Sequence, residues 1–188
     1  MRYPFVFAAF VLALLLTGCY FQNPLTGPSR DIDTWFLGVW EGKGKSGKVT
    51  RAEVFPASGD RYFIRASVPA KSGNGTNRYE FEAWASRVGE AKFLSMRCTA
   101  TTGEVPLGAW VFVFPQMLDQ NRLRLRGLDL SSPSNAGSMA LRREVRERWN
   151  DQTLFGRAPS IDLRRVAEVY WSRDGQTGEF RPIRNPIP

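Results

Sequence analysis

The sequence contains no histidine and two cysteines, Cys19 and Cys98. Ser-His-Asp and Cys-His nucleophile systems are therefore excluded, because each needs an imidazole to take the nucleophile's proton. Histidine-based zinc sites fall for the same reason, and so few cysteines cannot build a thiolate cage. Carboxylate, lysine and tyrosine chemistry remain. Glu80 and Glu82 alternate along an extended run, which puts both carboxylates on one strand face. Paired carboxylates can divide acid and base roles when their environments differ. The simpler reading of the same spacing is the solvent side of a half-buried strand. Gly42-Lys43-Gly44-Lys45-Ser46-Gly47-Lys48 comes close to a phosphate loop, but Val49 stands where the magnesium-binding hydroxyl belongs. The run after it alternates like a strand rather than a helix, so a basic hairpin tip is the better reading. Arg122, Arg124 and Arg126 share one face, and Arg142, Arg143, Arg146 and Arg148 follow on a helical segment. They could meet an anionic surface, or form a solvated face paired locally with Glu144 and Glu147.

The N-terminus carries a second chemistry. Arg2 is followed by an uncharged apolar run from Pro4 to Leu16. A bilayer span takes roughly 20 residues, so this run suits the core of a secretion signal better. Leu16-Thr17-Gly18-Cys19 closes it. The three parts together resemble the signal and lipobox of bacterial lipoproteins. The resemblance implies that residues 1–18 are removed, that the Cys19 thiol receives a diacylglycerol and that the new amino group is acylated. Two or more acyl chains anchor a protein stably where one does not. In enterobacteria an aspartate after the lipidated cysteine favours inner-membrane retention. Tyr20 stands there, so the resemblance points to the outer membrane, with the domain facing the periplasm. Residues 19–30 hold Pro, Gly, Ser, Thr and Asn and read as a tether. If Cys19 is acylated, Cys98 has no intramolecular partner and no disulfide is expected. Cys98 sits in an apolar strand pattern, where a small core residue is a simpler reading than a reactive thiol.

Composition bounds the rest. Without its first 18 residues, the 188-residue chain is still long enough for one domain with a sizeable core. Hydrophobic residues make up 43% and aromatics 13%, too many for a disordered tail. The formal charge of +8 would suggest nucleic acid in a cytosolic protein. In the envelope the available anions are lipid head groups, lipopolysaccharide phosphates and cell-wall polymers. A basic balance also simply aids solubility. No nucleic-acid partner and no cofactor beyond the covalent lipid is expected.

The elements that position these residues are mostly strands. Residues 36–41, 51–55, 61–68, 78–88, 93–98, 107–114 and 122–130 read as seven short strands separated by turn clusters. Tyr62, Ile64, Ala66 and Val68 share one face, as do Leu94, Met96 and Cys98. Residues 107–114 are apolar on both faces, which suits a strand covered twice. A change of phase at Gly127 suggests a bulge within 122–130. Met139 to Trp149 has Leu141, Val145 and Trp149 at helical spacing. Asp162 to Trp171 places Leu163, Val166, Val169 and Tyr170 on one helical face, with Ser160 as a candidate cap. Residues 181–188 are too proline-rich for regular structure and should be extended.

The opening Asp33-Thr34-Trp35-Phe36-Leu37-Gly38-Val39-Trp40 resembles the Gly-x-Trp signature of lipocalins and related calycin barrels. There a turn of helix precedes the first strand and the tryptophan plugs one barrel end. The resemblance assigns that role to Gly38 and Trp40, with Arg122 or Arg124 as the late arginine that stacks on the indole. The Thr-Asp-Tyr loop motif of lipocalins is absent. A Leu-Gly-x-Trp opening ahead of a β-meander is likewise similar to bacterial lipoproteins that have no agreed activity. The expected fold is mainly β: a small antiparallel lipocalin-like barrel of seven to eight strands over residues 31–180, with one or two C-terminal helices. The expected function is non-enzymatic, with Trp40, Trp84, Trp110 and Phe112 lining a site for a small apolar or amphipathic ligand. The alternative is an accessory subunit that docks an envelope protein complex through its basic face or its tail.

Overall fold

The computed structural model describes residues 20–28, 33–43, 48–57, 60–70, 75–151, 153–156, 160–167, 170–173 and 180–183. Cys19, the signal segment and residues 184–188 lie outside them.

Eight antiparallel strands close into a barrel in sequential order. They are β1 (Gly38–Lys43), β2 (Val49–Pro56), β3 (Tyr62–Pro69), β4 (Thr76–Val88), β5 (Ala91–Thr101), β6 (Trp110–Asp119), β7 (Arg122–Gly127) and β8 (Ser160–Ala167). β8 pairs with both β7 and β1, which closes the barrel. A 3-10 turn, Thr34–Phe36, precedes β1, and a helix, α1 (Ser138–Asn150), lies between β7 and β8. A two-stranded sheet of β9 (Tyr170–Arg173) and β10 (Phe180–Ile183) follows.

Alternation builds the barrel. Along β3, Tyr62, Ile64 and Val68 point inward; along β4, Tyr79, Phe81 and Ala83; along β5, Leu94 and Cys98. The opposite faces carry charge. Glu80 and Glu82 sit outside, paired with Arg65 and Arg61 across β3. Gly42 to Lys48 joins two paired strands, since Lys43 registers with Val49. A phosphate loop would need a helix there.

A second core covers one outer wall. Trp84, Val88, Phe93, Trp110 and Phe112 face outward from β4, β5 and β6, and pack with Leu141 and Val145 of α1. Residues 110–113 of β6 are thus buried on both faces, as their apolar run implies. The same outer core includes Phe21 and Leu25. Beyond Gly127, β7 no longer borders β6, and Phe21 exchanges backbone hydrogen bonds with Trp110 there, at 3.1 and 2.8 Å. Residues 20–28 are therefore not a loose tether but a strap docked on the barrel wall.

Four local expectations change. The segment from Asp162 is strand, not helix. Ile161 and Leu163 enter the core while Val166, needed for the helical face, is 48% exposed. The edges of β1 and β7 each need a partner, and pairing overrides the local helical spacing. The phase change at Gly127 marks the end of β7, after which Leu128 and Leu130 turn into the outer core. Leu107 lies in the loop before β6 and is 67% exposed. Residues 181–183, expected to lack regular structure, belong to β10 and pair with β9, and the rest of the tail lies outside the described residues.

Candidate functional site

The barrel encloses a cavity of about 80 Å³. Its walls are apolar and come from all eight strands, with Trp40, Val54, Ile64, Phe81, Met96 and Val111 among them. An apolar void lacks the polar partners that hold an ordered water.

One end of the barrel is sealed around Trp40, which is fully buried. Gly38 opens β1 at φ 127°, in the left-handed region that a side chain would strain. That turn swings Trp40 under the 3-10 turn, where its Nε1 donates to the Phe36 carbonyl at 2.9 Å. The Arg165 guanidinium lies 4.6 Å from the centre of the indole and donates to the Trp35 carbonyl. Arg165 is the registered partner of Trp40 across β1 and β8. The arginine that stacks on Trp40 is therefore Arg165, not Arg122 or Arg124. Those two point outward, to Asp119 and Asp162. Tyr62 completes this end: its hydroxyl accepts from the Asp33 backbone N–H at 2.7 Å, and burial pushes its pKa up.

The opposite end is also covered. The loop after β5 folds back, with Gly108 donating to the Cys98 carbonyl at 2.8 Å and Val105 buried in the barrel core. Gly103 lies against the Tyr79 hydroxyl so closely that a Cβ would stand 2.0 Å from it. Tyr20 packs on the same core. Burial, with Tyr79, Glu104 and Cys98 nearby, pushes the Tyr20 pKa up to about 12. Cys98 is free and buried, and burial pushes its thiol pKa up as well, which disfavours the thiolate.

Of the four aromatic residues expected to line a ligand site, the structure places only Trp40 at the cavity. Trp84, Trp110 and Phe112 lie on the other side of the wall. Strand parity decides this: Ala83 and Ala85 take the inward positions beside Trp84, and Val111 and Val113 those beside Phe112. The three form a seat for the strap. Trp84 donates to the Thr26 carbonyl at 2.8 Å, its ring meets Trp110 edge-on at 4.7 Å, and Phe112 stacks on Phe21 at 5.2 Å. The cavity walls that sequence reasoning missed, such as Val54 and Met96, are ordinary core residues with no signal beyond alternation.

Fold and site together define a closed eight-stranded antiparallel β-barrel with an apolar interior and covered ends. Comparison with family models, with curated proteins and with solved structures finds no match.

Proposed function

We propose that this chain is a bacterial envelope lipoprotein, acylated on Cys19 and held at the periplasmic face of the outer membrane, whose barrel binds a small apolar or amphipathic molecule without transforming it. The apolar cavity at the centre of a closed barrel carries this reading. At about 80 Å³ it is roughly half the size of an engineered 150 Å³ cavity that takes benzene. The occupant is therefore slim, or it enters by displacing an adaptable wall residue such as Met96. The docking alternative has weaker support. Arg122 and Arg124 are ion-paired, and Arg126 lies over the Phe155 ring at 3.8 Å, so much of the basic face is satisfied within the chain.

Cavity filling tests the proposal. Ala52 lines the void beside Trp40, its partner across β1 and β2. The purified full chain should bind a fluorescent short-chain acyl probe, and Ala52→Leu should weaken that binding about tenfold while the β-sheet circular dichroism stays unchanged. Equal binding by the folded variant, or none by the native chain, would overturn it.

A further inference from the structure

A second hollow, of about 360 Å³, lies at the barrel wall near the Trp40 end. It exists because β5 and β6 part company. Their pairing runs from Arg97 with Trp110 to Leu94 with Val113 and goes no further. Residues 91–93 of β5 and 114–119 of β6 continue as strands without bonding to each other. Pro115, which has no N–H to donate, stands in the parted stretch and lines the hollow.

The lining changes character with depth. Asp33, Glu90 and Lys92 lie at the hollow, and Lys92 Nζ holds both Asp33 carboxylate oxygens at 3.0 and 3.1 Å. Trp149 and Phe114 form the outer apolar side, their rings 5.2 Å apart. Phe36 and Leu94 form the floor. These same two residues also line the internal cavity. A single layer of side chain therefore divides the cleft from the barrel interior. Both barrel ends, by contrast, are blocked: one by Trp40 and Arg165, the other by Tyr79, Val105 and Tyr20.

We infer that the β5–β6 cleft is the entrance to the barrel, and that a single-chain amphiphile enters it tail first while its head stays at the Asp33–Glu90–Lys92 rim. This rests on the interior being a binding site. Rotation of Phe36 and Leu94 joins the two hollows into one site. Its size then reaches the ~300–1,000 Å³ usual for small-molecule pockets, which the interior alone does not. The polar rim and apolar floor match a molecule with a head and a tail.

Rates separate the entrance from the site. Stopped-flow mixing of the full chain with the fluorescent acyl probe should show Pro115→Phe, which fills the cleft, slowing association about tenfold and slowing dissociation as well. Leu94→Ala, which thins the floor, should speed both. If Leu94→Ala fails to fold, Pro115→Phe alone decides. Native rates in a folded Pro115→Phe that still binds the probe would overturn the entrance and leave the binding barrel standing. No binding by the native chain would overturn both.

Discussion

Arg165 serves two acceptors at once. Its guanidinium covers the Trp40 indole and bonds the Trp35 carbonyl, so one side chain ties β8 to the turn that begins the barrel. A desolvated cation–π contact is worth about 2 kcal/mol, and a charged hydrogen bond about as much. Arg165→Met keeps the apolar stem and loses both. It should destabilise the domain by about 2–3 kcal/mol in urea titration, and Arg165→Lys should recover little, because an ammonium lacks the planar face that stacks. Cys98 makes the opposite case. Its buried thiol should resist a disulfide-exchange reagent in the native chain and react once urea unfolds it, since only then does the thiolate form in water. That Arg165 would hold Trp40 was not legible in the sequence. Its segment carries a helical spacing, and the choice among late arginines depends on register between strands far apart in the chain.

At the scale of elements, α1 is fastened as well as packed. Glu144 accepts from the backbone N–H groups of Ser131 and Ser132 at 2.6 and 2.9 Å, and from both serine hydroxyls. Burial pushes its pKa up, but these hydrogen bonds outweigh it and hold the carboxyl at about 2, against an ordinary value of 4.5. A depressed carboxylate contributes stability above its unfolded pKa and loses it as pH falls through the folded one. Thermal stability should therefore fall between pH 4.5 and about pH 2, and Glu144→Gln should flatten that part of the profile. The strap is the second fastening. Phe21 is buried against Phe112, and a buried Phe→Ala change typically costs about 3–5 kcal/mol. Phe21→Ala should free residues 20–28, seen as new protease cleavage there before the barrel unfolds. The helix was legible from Leu141, Val145 and Trp149. The strap was not, because Pro, Gly and Asn make a docked segment and a loose one look alike in composition.

At the scale of the whole molecule, the two cores share a wall. Around Trp84, Phe93 and Phe112, β4, β5 and β6 bury one face in the barrel and the other under α1 and the strap. Neither core can open without exposing the other's strands. Unfolding should accordingly be one transition, with far-ultraviolet circular dichroism and tryptophan fluorescence giving coincident urea midpoints. A separate earlier fluorescence step would show that the outer layer detaches alone. If Cys19 carries the acyl chains, the docked strap also limits how far the barrel stands from the membrane, since Tyr20 is already packed on its core.

Period-two alternation and turn residues were enough to read a mainly β chain with seven of the eight barrel strands, the helix from Met139, and Gly38 and Trp40 at the head of the barrel. These are local properties: each strand's pleat and each turn's chemistry are written in consecutive residues. The tertiary structure alone decided the rest. It made β8 a strand because two edges needed a partner. It turned Trp84, Trp110 and Phe112 outward, since a residue's side of the wall depends on which neighbour the sheet curls around. It also left β5 and β6 parted beside Pro115, where a cleft shares Phe36 and Leu94 with the interior. Alternation shows that a strand has two faces; only closure of the barrel shows which face is inside.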